Sequence, residues 1–321
     1  MLQATDIRGC YPALITPMQQ EPDGRIVIDT EAFHRQIARV IDHGVAGIVI
    51  AGTTGQSATL THEEQIRLVN DGALYARGYA AGKGRGVQVI AAAGSNSTAE
   101  AIFMSREILA QDRVDALLHL TGYYNNPPQE GLLKHFRIMA DLAAENDTSI
   151  LVYNVPGRTG SNIAAETTIE LAQHPAIIGI KEASGDLDQV QAIVDAIDPE
   201  QFTIVSGEDH LVGEIMRRGG RGVISASANQ WPGEFQRLCD LANAGEHEKA
   251  AELQEALLPC VRAVFGVKNP IPLHHMLGAA LRPPLVSIGD LREPARSQAI
   301  AQIEKALAIK TFPHMEGAPV K

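Results

Sequence analysis

Short apolar runs alternate with stretches of helical periodicity along most of the chain. Residues 11–16 form an apolar run closed by Pro17, and residues 29–43 follow with Phe33, Ile37, Val40 and Ile41 at helical spacing. The pair recurs as strand 46–51 with helix 61–75, strand 87–92 with helix 98–110, strand 115–120 with helix 129–144, and strand 149–153 with helix 165–172. Strand 177–181 precedes a helix over 187–197, strand 202–206 precedes one over 209–216, and 222–225 is the eighth strand. Eight such units in roughly 230 residues predict an α/β fold of the (β/α)8 TIM barrel type, which typically takes about 250. A doubly wound open sheet is disfavoured, because no GxGxxG follows the first strand and the repeat nowhere changes character.

From Trp231 onward the pattern is helical only, with helices over 234–244, 246–264, 271–280 and 294–308. The expected organisation is a catalytic barrel at 1–230 and a C-terminal helical appendage at 231–321, which packs on the barrel or on a partner subunit. The glycine-rich stretch 78–86 reads as an exposed loop and the tail 311–321 as loosely held.

Composition narrows the class of partner. Aromatic residues are few while Ala, Gly, Ile and Val are plentiful, which suits helices packed around a buried parallel sheet. A formal net charge of -11 argues against nucleic-acid and anionic-membrane surfaces, so an anionic ligand must be met by a few placed cations or backbone dipoles. The start has no basic stretch followed by an apolar core, and no segment runs to about 18 apolar residues. A cytoplasmic protein acting on small metabolites is expected. Cys10, Cys239 and Cys260 are odd in number and widely spaced, so neither a disulfide framework nor a cysteine metal site is expected. His274-His275 lacks a helical i, i+4 partner for zinc, and Arg217-Arg218-Gly219-Gly220-Arg221-Gly222 precedes its strand, at the wrong end of a barrel for a phosphate loop.

Chemistry in such barrels sits at the carboxyl ends of the strands, and there the sequence is unusual. The run Ile177-Ile178-Gly179-Ile180-Lys181 ends in a lysine. Strand alternation puts Ile178 and Ile180 on one face and Gly179 and Lys181 on the other, with the glycine leaving space beneath the lysine stem. The second strand ends in Gly52-Thr53-Thr54-Gly55-Gln56-Ser57, either a tight turn before a helix or a cradle of amides and hydroxyls for a carboxylate. The fourth ends in Gly122-Tyr123-Tyr124-Asn125-Asn126-Pro127-Pro128, and the fifth in Tyr153-Asn154-Val155-Pro156-Gly157-Arg158-Thr159-Gly160, where Arg158 is either a solvated loop charge or a carboxylate clamp. Two hydroxyls, several phenols, an arginine and a lysine at one rim suit amine chemistry on a keto acid. An ordinary lysine, with a pKa of about 10.4, is protonated at neutral pH, so burial must lower it; about three units corresponds to about 4 kcal/mol.

These motifs, in this order and over nearly the whole chain, resemble the dihydrodipicolinate synthase family within the class I pyruvate-dependent aldolases and lyases. The resemblance implies that Lys181 forms the Schiff base and Tyr153 moves protons. It implies a relay completed by Thr54 and by Tyr124, the latter reaching into a neighbouring subunit's site. Thr53 and Thr54 would hold the pyruvate carboxylate, Arg158 the carboxylate of aspartate semialdehyde, and Ile224 would line the site with its carbonyl. No metal or organic cofactor is implied. A homotetramer built as a dimer of dimers is implied, as is a lysine feedback site at Ser57, Ala58, His62, Gln65, Asn96, Glu100 and Tyr123. Gln56, Gln65 and Gly122 depart from the family pattern, and the stretch 278–285 is shortened, which bears on subunit packing. Two rivals share parts of this pattern: an aldolase or lyase for sialic acid or 2-keto-3-deoxy sugar acids, and a catalytically silent metabolite-binding protein.

Overall fold

Each of the eight apolar runs becomes a strand of one parallel sheet. The computed structural model describes residues 1–316. The strands are β1 (Gly9–Pro12), β4 (Gly47–Ile50), β5 (Gln88–Ala92), β6 (Ala116–Leu120), β7 (Ser149–Asn154), β8 (Ile177–Glu182), β9 (Thr203–Ser206) and β10 (Gly222–Ser225). Their order is β1-β10-β9-β8-β7-β6-β5-β4. The ring closes where β1 meets β4: Leu14 N–H donates to Val49 O at 2.9 Å, and Ala46 N–H to Cys10 O at 3.1 Å. The fold is therefore a (β/α)8 barrel followed by C-terminal helices. Its interior is filled by Tyr11, Val49, Ile90, Leu118, Leu151, Ile178, Val205 and Ile224, while residues of opposite parity pack outward against the helices.

The helices follow the same alternation: α1 (Thr30–Asp42), α2 (His62–Gly82), α3 (Thr98–Leu109), α4 (Gln129–Glu145), a short α5 (Pro156–Thr159), α6 (Ala165–Leu171), α7 (Leu187–Ala196), α8 (Val212–Arg217) and α9 (Pro232–Asn243). Asp29 caps α1 by accepting from Ala32 N–H, and Thr61 with Glu64 forms a capping box on α2. Beyond them lie α10 (His247–Phe265), α11 (Ile271–Met276) and α12 (Ala295–Leu307). Helix α9 buries Phe235, Leu238 and Cys239 against Cys10 of β1 and Val223 of β10, so it supplies the eighth βα unit with its helix. The expected division at 230 falls between β10 and that helix.

One element is added and two expectations change. A hairpin, β2 (Met18–Gln20) with β3 (Ile26–Ile28), stands between β1 and α1; its turn is carried by Pro22-Asp23-Gly24, with Gly24 at φ +86°. The glycine-rich stretch is mostly helix, because Ala73, Ala76 and Ala80 keep one face of α2 buried to its end, and Arg85 then donates to Ile41 O and Val45 O. The tail is held as far as it is described: Phe312 is buried, His314 pairs with Glu252, and Arg237 donates to His314 O. Residues 317–321 of that tail lie outside the described residues.

Candidate active site

Lys181 and Tyr153 are register partners on the adjacent strands β8 and β7. Both are buried, and the Lys181 amine lies over the Tyr153 ring, 4.1 Å from its centroid. The two residues wall a cavity of about 100 Å3 at the carboxyl mouth of the barrel, together with Thr53, Thr54, Arg158, Glu208, Ile224 and Asn269. Burial pulls the Lys181 amine down from its ordinary range to about 8, with the Arg158 cation adding to this and the Asp209 and Glu208 carboxylates opposing it. Burial likewise pushes the Tyr153 phenol up to about 12, so it is a neutral proton donor and acceptor.

The local sequence explains how the lysine is held, though not through simple alternation. The β7/β8 register shifts at Ile150–Leu151, whose partners are Ile177 and Gly179, so Ile178 is an extra residue. Ile178 consequently packs inside the barrel while Ile180 packs outside it, contrary to their expected common face. Gly179 is not the space beneath the lysine. A Cβ there would lie 2.5 Å from Thr203 O and 3.0 Å from Leu151 Cδ2, so this glycine serves strand approach. The lysine stem instead runs beside Gly207, where a Cβ would stand 3.0 Å from Lys181 Cε and 3.1 Å from Cγ. Next to the lysine, the buried Glu182 accepts from Asn154 Nδ2, Ser184 N–H and Gln189 Nε2, which ties the ends of β7 and β8 together.

The Thr53 hydroxyl stands beside the Tyr153 phenol and slightly offsets the upward effect of burial, whereas Thr54 Oγ1 accepts from Asn269 Nδ2 at 3.0 Å. Thr54 thus lines the cavity while its hydroxyl oxygen is engaged by the C-terminal region. Tyr124 is 95% exposed at φ +72° and lines neither cavity at this mouth. Arg158 sits on α5, at the junction of this cavity and a wider one of about 510 Å3, and forms no ion pair among the described residues. Ile224 of β10 is buried at the cavity wall.

The wider cavity gathers Ser57, Ala58, His62, Gln65, Glu100 and Tyr123, six of the seven residues expected at an effector site. The seventh, Asn96, accepts through Oδ1 from Tyr123 N–H at 3.0 Å. His62 pairs with Glu100 at 2.7 Å, and Ser95 bonds the same carboxylate. Gln65 is buried and donates to Ala92 O, so its amide is spent on the end of β5.

Glu208, Asp209 and Asn269 are missing from the sequence reading. Glu208 and Asp209 follow β9, and burial raises both carboxyls above their usual range. Their signal was the position just past a strand end; Asn269 comes from the segment between α10 and α11 and had none. The shortened 278–285 stretch carries Arg282, which donates to Thr59 O, Ile26 O and both carboxylate oxygens of Glu64. Gln56 bonds His274, whose other ring nitrogen meets Ala280 O. Burial lowers that histidine to about 4, which keeps it neutral. The stretch therefore bears on the site loop itself.

A model of the Dihydrodipicolinate synthetase family matches residues 6–304. The chain belongs to this family. Among its relatives in the dihydrodipicolinate synthetase family, a protein from Methanospirillum hungatei named 4-hydroxy-tetrahydrodipicolinate synthase is 39% identical over 292 residues, covering 89% of this chain and 94% of the relative. The solved structure of DHDPS from Cyanidioschyzon merolae with lysine bound superposes with a TM-score of 0.83 at 34% identity, covering 95% of this chain and 99% of that one. The chloride-inhibited dihydrodipicolinate synthase of Acinetobacter baumannii, complexed with pyruvate, gives 0.83 at 32% identity over 94% and 100%. Membership makes the chain a lyase or synthase of that family. Among the described residues no helix is long and apolar enough to cross a membrane.

Proposed function

We propose that the chain condenses pyruvate with L-aspartate 4-semialdehyde through a lysine Schiff base, giving 4-hydroxy-tetrahydrodipicolinate for lysine and diaminopimelate biosynthesis. The observation that carries the reading is the buried amine of Lys181, lowered to about 8 and lying on Tyr153 at the barrel mouth. The names of the relatives support the choice of reaction.

The Lys181 amine attacks the pyruvate ketone, and the resulting carbinolamine loses water as a proton passes through Tyr153 and Thr53. The protonated imine is an electron sink that the ketone is not, so a proton leaves the methyl carbon to form an enamine. That carbon attacks the aldehyde of the second substrate. The amine of the semialdehyde then adds to the imine carbon, closing the ring and releasing Lys181. Thr53 and Thr54 hold the pyruvate carboxylate, the Ile224 carbonyl borders the site, and Arg158, which forms no ion pair among the described residues, receives the semialdehyde carboxylate. Tyr124 acts in a neighbouring chain of a homotetramer arranged as a dimer of dimers. The wider cavity is the site for lysine, which a relative binds, with the His62–Glu100 pair placed to meet its charges.

A coupled assay with pyruvate and a panel of aldehydes, with and without lysine, tests this reading. The semialdehyde should be the preferred acceptor, and Arg158→Ala should raise its KM by about tenfold or more while pyruvate imine still forms. Loss of pyruvate binding in that variant, or preference for a polyhydroxylated aldehyde, would contradict the assignment.

A further inference from the structure

The loop from β4 to α2 carries Thr53 and Thr54, and its backbone is not one that the sequence adopts freely. Ala51 and Gln56 both occupy the left-handed region, at φ +58° and +57°, which costs a non-glycine residue roughly 1 kcal/mol or more. Something outside the loop must hold it. The C-terminal region touches it at three places: Asn269 on Thr54, His274 on Gln56, and Arg282 on Thr59 O and Glu64. Among these three, only the first joins two residues that both line the cavity of Lys181.

Asn269 is 5% exposed, and its two polar ends behave differently. Its Nδ2 donates to Thr54 Oγ1 at 3.0 Å, while its Oδ1 is buried without a hydrogen-bond partner among the described residues. An orphaned buried acceptor costs about 1–3 kcal/mol, which an asparagine serving packing alone would not require. The geometry of the first bond has a consequence for Thr54. A hydroxyl oxygen that accepts from an amide turns its own proton elsewhere. No described residue receives that proton, and the threonine faces the cavity.

We propose that Asn269 is a positioning residue: by occupying the acceptor side of Thr54, it aims the Thr54 hydroxyl proton into the cavity, toward the carboxylate of the keto acid bound on Lys181. The inference rests on the Schiff-base reading above. It assigns the segment between α10 and α11 a part in binding the first substrate and none in binding the second.

The test is the pyruvate dependence of imine formation on Lys181, trapped with borohydride and read by mass spectrometry, in the full-length protein and in Asn269→Ala, Thr54→Val and the double variant. Each single substitution should raise the half-saturating pyruvate concentration about tenfold, and the double variant should match Thr54→Val alone within about twofold. Asn269→Asp keeps the shape but has no N–H, so Thr54 must donate to it; its pyruvate dependence should suffer more than that of Asn269→Ala. That isosteric variant also carries the test if Asn269→Ala does not fold. The KM for the aldehyde substrate should stay within about twofold throughout. Unchanged pyruvate dependence in the Asn269 variants, or losses in the double variant that multiply, would overturn the proposal. An unsubstituted protein that forms no imine would overturn the Schiff-base reading as well, whereas normal imine formation with an indifferent Asn269 would strike this inference alone.

Discussion

A lysine amine lowered to about 8 is about one-tenth free at pH 7, against well under one part in a thousand for an ordinary lysine. The sign follows from the nucleophile being the deprotonated form. At subsaturating pyruvate, the rate of imine formation should rise about tenfold per pH unit below 7, bend near 8 and level above it. Stopped-flow measurement of imine formation from pH 6 to 9.5 checks this; a rise continuing undiminished past pH 9 would mean that burial does not tune Lys181. The placement of this lysine and of Tyr153 at one mouth was legible in the chain, because each ends an apolar run of strand length. Their neighbours were less so. Gly179 was the glycine that simple alternation offered, but the bulge at Ile178 breaks that alternation, and Gly207, on the next strand's end, lies beside the lysine stem. Cross-strand proximity leaves no trace in spacing along one strand, so Glu208 and Asp209 offered only their position just past a strand end.

At the scale of elements, the eight strands were legible from apolar runs alone, and helix spacing gave most of the outer layer. The hairpin β2–β3 was not, since strands of three residues are shorter than a periodicity can reveal, and its Pro-Asp-Gly turn was the remaining signal. What no local pattern could supply is the tie between the C-terminal region and the β4–α2 loop. Arg282 joins the hairpin, the loop and α2 by donating to Ile26 O, Thr59 O and Glu64, and it holds the Glu64 carboxyl below its usual range. Removing it would leave a half-buried carboxylate and two carbonyls without this donor. Arg282→Ala should therefore lower unfolding stability by about 2 kcal/mol, read as a shift in denaturant midpoint. A shift below about 0.5 kcal/mol would show that the strained loop is held without this clamp.

For the whole molecule, Tyr124 is where the proposed relay leaves its own barrel. A tyrosine that is 95% exposed cannot serve the relay of its own barrel, and Leu74, Phe103 and Tyr123 are large apolar side chains left exposed with it. If Tyr124 completes a neighbour's site, Lys181→Ala and Tyr124→Phe, each poorly active alone, should regain activity when dissociated and reassembled together, since a chain with an intact lysine then receives an intact phenol. Mixed oligomers no more active than the sum of the two preparations would remove Tyr124 from the mechanism. Net charge, barrel architecture and helical C-terminal region all frame a single chemical claim, that Lys181 is the covalent nucleophile. The most direct measurement is incubation with pyruvate and borohydride followed by peptide mapping. A reduced pyruvate adduct is expected on the peptide bearing Lys181, dependent on pyruvate and absent from Lys181→Ala; an unmodified Lys181 peptide, or an adduct on another lysine, would contradict the role of Lys181 as nucleophile.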